Sequence, residues 1–216
     1  MLGTHDLALF TATVFVLNAT PGVDMMLVLA STLKRGVRTG LMTSLGVAAG
    51  CVVHTLLAAF GMAALLATSA AAFSVLKLAG AAYLVWLGLG MWRAAWRGKT
   101  ASPVAATVLG RSGWQHFRDG LLTNVLNPKV ALFFLAFLPQ FVPAGSWSAT
   151  LSFLLLGAWF VLQGTLFLLA LVAVTVSLKG LVPGPGGTMR RGLQAIGGGL
   201  FIALAVRVVG TRPALA

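Results

Sequence analysis

The sequence predicts an all-α integral membrane protein with six transmembrane helices. They are arranged as a 3+3 inverted repeat whose first and fourth helices are broken at Pro21 and Pro128. Three observations carry this expectation. Hydrophobic residues make up 59% of the 216-residue chain and charged residues 8%, with a mean hydropathy of +0.98, whereas soluble domains are roughly a quarter charged. Six apolar stretches are long enough to cross a bilayer at about 20 residues per crossing. The first and fourth of these are interrupted by prolines that stand 107 residues apart, with Asn, Gly, Asp or Lys beside them.

The first stretch, residues 7–33, contains NATPGVDMMLVLA at 18–30. No basic segment precedes it and Asp6 stands near its start, so it reads as a retained helix rather than a cleaved signal peptide. The second, 40–66, carries His54 on a helical face with Gly46, Gly50 and Gly61. The third covers 73–92 and includes Tyr83, a pore-lining candidate. Residues 93–117, with RGKTASP at 97–103, read as a basic cytoplasmic linker between two three-helix repeats, 1–92 and 118–216. The fourth stretch, 118–142, contains NVLNPKVALFFLAFLPQF at 124–141. The fifth, 150–176, places Gln163 mid-span, where it serves as interhelical glue or as a pore-lining ligand. The sixth, 193–209, includes Gly197, Gly198 and Gly199. Small residues suit such helices because lipid offers no hydrophobic drive between them, and close backbone approach supplies dispersion contact instead.

The net charge of +12, from 15 Lys and Arg against Asp6, Asp24 and Asp119, would suggest a nucleic-acid partner in a soluble chain. Here it sits mainly in loops beside lipid headgroups, so it reports topology and no nucleic acid is expected. Lys34, Arg35 and Arg38 fall in the first loop, Arg93, Arg97, Lys99, Arg111 and Arg118 in the third, and Lys179, Arg190 and Arg191 in the fifth. The second and fourth loops have none. Basic residues in short loops collect on the cytoplasmic side, which puts both termini outside. Lys77, Arg207 and Arg212 lie near outer span ends, where long side chains snorkel. Cys51, the single cysteine, forms no internal disulfide and reads as a packing residue.

The chemistry concentrates at the two interruptions. Proline removes an amide donor and drives the residue before it, Thr20 or Asn127, out of helical geometry. The freed carbonyls cost several kcal/mol each in hydrocarbon unless something satisfies them. Asn18, Asn124 and Asn127 are suitable local partners. Half-helices beginning at Gly22 and Lys129 would aim amides and positive dipole ends at the midplane, a seat for a carboxylate. Asn18 to Asn124 is 106 residues against 107 for the prolines, so the register of the repeat stays open. Asp24 is the one acid deep inside the spans, where a charge costs about 3 kcal/mol or more. It binds an amino group, carries a coupling proton, or pairs with Lys129. Lys129 alternatively meets a substrate carboxylate. His54 suits proton transfer by its chemistry and equally suits a hydrogen-bonded packing role. The bland alternative is a pair of kinked helices that only pack.

Three segments resemble the LysE/RhtB family of bacterial amino-acid exporters. They are Pro21, Gly22 and Asp24 with the later Arg35-Gly36 pair and Gly46; LKLAGAAYLVWLG at 76–88; and LLTNVLNPKVALFFLAFLPQF at 121–141. The family usually reads Pro-Gly-Pro where this chain has Pro21-Gly22-Val23. The resemblance implies a multi-pass protein of the bacterial cytoplasmic membrane that exports amino acids or close derivatives, driven by the proton gradient.

The combined expectation is a secondary transporter and not an enzyme. Its substrate site comprises Asn18, Pro21, Gly22, Asp24, Asn124, Asn127, Pro128 and Lys129, with Asp24 and His54 as candidates for proton coupling. One half rocks against the other to alternate access. A neutral substrate resembling threonine, homoserine or leucine fits a single acid better than a dibasic one. The partners are then the substrate, protons and lipid, with no cofactor and no metal; homo-oligomerisation is left open. Metal-ion export is disfavoured because the spans offer one acid, one His and one Cys. An intramembrane enzyme lacks an acid pair, a metal-ligand cluster or a Ser-His-Asp set. A membrane scaffold would not need polar breaks at matched depths.

Overall fold

A computed structural model of the chain describes residues 7–62, 112–142 and 149–177, with isolated helical positions between 75 and 96 and between 195 and 206. The described residues are helical throughout. Most of the expected third and sixth spans, Tyr83, the loop at 67–72, and the linker up to residue 111 lie outside them.

Helix α1 covers Leu7–Ala19 and α2 covers Val23–Arg35, with Pro21 in the three residues between them. Their axes bend by 53°. Gly36 then does two jobs at once: its N–H caps α2 by donating to the Thr32 carbonyl at 2.8 Å, and it is the N-cap of α3, Val37–Leu57. Its φ of 87° with ψ of −174° lies in a region open essentially to glycine alone. A π turn, Ala58–Met62, ends this segment.

Helix α4 is Gly113–Val125 and α5 is Pro128–Ala136, followed by a 3-10 turn at Leu138–Phe141. The bend here is 51°. Helix α4 begins inside the expected linker because Gln115 accepts from the Ser112 N–H at 2.7 Å and starts the helix there. Its polar first turns carry no hydropathy signal, so the apolar stretch begins later than the helix. Helix α6, Ala149–Ser177, matches the fifth expected span closely.

Two helices, Val37–Gly61 and Ala149–Ser177, are long and apolar enough to cross a membrane, and each bent pair qualifies if counted as one span. On α6 the outward face shows Leu151, Leu155, Trp159, Leu162 and Leu166 at three- and four-residue steps, the spacing of one helical stripe. In water such a stripe would be an aggregation hazard; in a bilayer it is the lipid face.

The most extensive helix contact is α3 against α4. A Cβ at Gly46 would strike the Phe117 carbonyl, and one at Gly120 would strike the Thr43 carbonyl. The two backbones therefore touch, as small residues allow in lipid. Gly61, expected on the same face, has nothing within 4 Å of a built Cβ. It belongs to the π turn, whose wider winding carries it off the α3 stripe.

Two apolar clusters lie above and below the level of the breaks. The larger is aromatic: Phe133 packs at 4.7 Å from Phe137 and 5.3 Å from Phe160, and Phe10 sits at 5.2 Å from Phe141. The smaller comprises Val28, Val47, Leu168 and Val172.

Gly120→Ala is expected to lower stability by about 1–3 kcal/mol because the methyl must push α3 away, whereas Gly61→Ala should change it little. Thermal unfolding of the two purified variants in one detergent checks the contrast; equal effects would contradict the backbone contact.

Candidate functional site

The two breaks face each other, and each supplies what the other lacks. Pro21 has no amide, so the carbonyl of Leu17, four residues earlier, loses its helical donor. Nζ of Lys129, from the second break, donates to that carbonyl at 2.9 Å and to the Thr20 carbonyl at 3.1 Å. Pro128 likewise deprives the Asn124 carbonyl. Nε2 of His54, from α3, donates to it at 3.1 Å, and the Asn127 N–H shares it at 2.9 Å. A carbonyl can only accept, so His54 carries its proton on Nε2. The asparagines were expected to answer the freed carbonyls through their side chains. Lys129 and His54 do this, and the side-chain amides of Asn124 and Asn127 serve Asp24.

Oδ2 of Asp24 accepts from Nδ2 of Asn124 at 2.8 Å and from Nδ2 of Asn127 at 2.9 Å. Both asparagines are almost fully buried. Asp24 and Lys129 occupy the same position, second in their half-helices, which start at Val23 and Pro128 rather than at Gly22 and Lys129. The acid therefore sits at the positive end of α2, where it is stabilised. The lysine sits at an unfavourable helix start but reaches the negative carboxyl-terminal end of α1, which compensates. The hydrogen bonds of the two charges go to amides and carbonyls and not to each other, unlike the direct pair that was one of the expectations.

The two helix starts also differ. The Asn127 side chain caps α5 by accepting from the Lys129 N–H at 3.0 Å, whereas Gly22 gives α2 no side-chain cap. Only α2 thus presents an uncapped first turn, against the expectation of two free helix ends. The helix starts also place the prolines differently: Pro128 is the first residue of α5, while Pro21 precedes the N-cap of α2. The prolines are not equivalent positions.

A cavity of about 50 Å³ opens at this junction. Asn18, Gly22, Asp24, Asn124, Asn127 and Lys129 line it together with apolar side chains of α3 and α6, among them Val47, Phe160 and Leu168. At about 10–15 Å³ for each water it has room for roughly three to five and is far below the roughly 300 Å³ of a typical ligand pocket. Three buried polar atoms at its edge have no hydrogen-bond partner among the described residues: Oδ1 of Asp24, Oδ1 of Asn124 and Nδ2 of Asn18. Pro21 and Pro128 shape the breaks without lining the cavity, and His54 stands behind it, stacked on Phe134 at 5.7 Å. Gln163 is elsewhere. Its Nε2 donates to the Thr11 carbonyl at 2.9 Å, and it lines an open groove along the outer face of α1. Tyr83 lies outside the described residues.

Cys51 was read as packing, yet it lines the cavity as well. The signal was present in the spacing, since Val47, Gly50, Cys51 and His54 recur at helical steps on one face of α3. Among the described residues no group of His, Cys, Asp and Glu has the makings of a metal site.

A buried polar cavity with one acid and one base, enclosed by apolar helices and set between two interrupted ones, defines a multi-pass membrane transporter. The chain belongs to the LysE type translocator family, whose description matches residues 15–211. It is 40% identical over 179 residues to an uncharacterised membrane protein of Pseudomonas aeruginosa, covering 82% of each chain. It is 32% identical over 127 residues to a homoserine/homoserine lactone efflux protein of Salmonella typhimurium, covering 59% of this chain and 60% of that one. A leucine efflux protein of Enterobacter sp. strain 638 is 33% identical over 147 residues, 66% of each. No solved structure matches the chain. Family membership makes the protein a transporter rather than an enzyme.

Asn127→Ala removes both the α5 cap and one donor to Asp24, and should cost about 1–3 kcal/mol. Asn127→Asp keeps a cap acceptor but sets a second carboxylate beside Asp24, so it should be the worse variant near neutral pH. Thermal unfolding of the pair ranks them; a more stable Asn127→Asp would contradict the arrangement.

Proposed function

We propose that the protein exports neutral amino acids from the cytoplasm in exchange for protons, through a site formed by Asn18, Pro21, Gly22, Asp24, Asn124, Asn127, Pro128 and Lys129. One observation carries this reading: Asp24 is held by two amides on Oδ2 while its buried Oδ1 has no partner among the described residues. An ammonium group has the donors that Oδ1 lacks, and protonation of the carboxylate removes the charge that draws the ammonium, so substrate and proton compete for one group. The substrate carboxylate faces the uncapped start of α2, a helix end suited to anions. Among the described residues the cavity lining holds no second acid for a dibasic side chain, and its apolar residues suit an aliphatic one. The names of the homoserine and leucine efflux relatives support the same substrate class.

In this reading each bent pair is one broken span, the chain forms a 3+3 inverted repeat in the bacterial cytoplasmic membrane, and both termini are outside. The aromatic cluster then lies toward the outside and the smaller aliphatic cluster toward the cytoplasm. The seal is thinner on the side from which an exporter loads. The small cavity belongs to a closed conformation that must widen to admit substrate.

Counterflow of labelled leucine, threonine and homoserine into proteoliposomes, with and without a pH gradient, tests the function; no saturable uptake of any of them would end this reading. Asp24→Asn should weaken substrate by roughly ten- to a hundredfold, the worth of one charged hydrogen bond, and abolish the response to the gradient. The topology has a separate check: single cysteines placed in 67–72 and at Lys99, in a Cys51→Ala background, should react from opposite sides of the membrane. Reaction from one side would undo the inverted repeat.

A further inference from the structure

We propose that Lys129 is a positioning residue whose ammonium stands in for the backbone amide that Pro21 lacks, so that it holds the first break open and leaves carboxylate recognition to other groups. This goes beyond the transport reading, although it takes the same cavity to be the transport site. The register is the first support. The carbonyl orphaned by a proline at position 21 is that of residue 17, and this carbonyl receives Nζ at 2.9 Å. The second hydrogen bond, at 3.1 Å, goes to Thr20, the last carbonyl before the proline. Two of the three ammonium hydrogens are thereby committed to the main chain of α1.

The geometry around the lysine is built for this contact. Its own backbone N–H is fixed by the Asn127 side chain at 3.0 Å, which sets the direction in which the side chain leaves α5. The stem runs along Gly22, where a built Cβ would stand 3.4 Å from Nζ and 3.7 Å from Cδ. These are ordinary van der Waals distances, so the stem lies packed against the backbone at Gly22. Asp24 accepts from Asn124 and Asn127 instead of from the lysine, so ion pairing is not what holds Nζ in place. The second break has a brace of the same kind, since His54 reaches the Asn124 carbonyl four residues before Pro128. Each brace crosses between the part of the chain before residue 62 and the part after 112.

The test is a double-mutant cycle read by unfolding temperature in detergent, followed by counterflow. Lys129→Met should lower the Tm by on the order of 5 °C in the wild-type background. In the Pro21→Ala background the restored amide at position 21 answers Leu17, so the same substitution should cost half as much or less. An equal cost in both backgrounds would overturn the proposal. The second readout compares leucine with leucinamide, which has the same side chain and ammonium but no carboxylate. If Lys129 positions the break, Lys129→Met and Lys129→Gln raise KM for both compounds by the same factor, with the smaller rise in Lys129→Gln, which keeps two N–H donors. A rise confined to leucine would show that the lysine binds the carboxylate and would likewise overturn the proposal. Should the unaltered protein move neither compound, the exporter reading fails, and the comparison of Tm costs still decides the role of Lys129.

Discussion

Inside hydrocarbon a backbone carbonyl without a donor costs several kcal/mol, and no water is at hand to supply one. Two prolines at the joints between apolar helices create that debt twice, at Leu17 and at Asn124. The chain settles it by reaching across: Lys129 to Leu17 and His54 to Asn124. The positions of the other polar groups follow from these two contacts. With the lysine drawn to α1, Asp24 is free of it, and the asparagines whose backbones flank the second break turn their amides to the acid. A site for a charged solute is assembled from groups that first of all make the interruptions tolerable.

The polar layer is thin. Leu17, Cys51, Val130 and Phe160 belong to the aromatic cluster and also border the cavity, while Val47 and Leu168 border it from the aliphatic cluster. A low-dielectric surround on both sides strengthens every contact within the layer and raises the cost of leaving any polar atom unpaired. Oδ1 of Asp24 and of Asn124 therefore carry a standing demand for donors.

Much of this was legible from residues alone. Proline beside Asn, Gly, Asp and Lys in an apolar run marked both interruptions, and strong continuous hydropathy marked α6 to within a residue of its bounds. Asn18, Asp24, Asn124, Asn127 and Lys129 gather around one cavity. What escaped depends on tertiary contact. Which donor reaches which carbonyl is decided by the crossing of α1, α3 and α5, so the asparagines were assigned a task that Lys129 and His54 perform. The start of α4 at Gly113 escaped because its first turns are polar, and Gly61 was misplaced because the π turn breaks the periodicity from which its face was read.

The glycine contact between α3 and α4 has a mechanical consequence. Gly46 and Gly120 press backbone against backbone, and Gly50 admits the side chain of Asn124 with no room for a Cβ between them. Yet α3 lies before residue 92 and α4 after 112, so this seam, the closest helix contact among the described residues, crosses the boundary between them. Parting that seam would strip the tightest dispersion contacts and the His54 brace in one step. Hinges are cheaper where packing is looser and a glycine already bends the chain, as at Gly36.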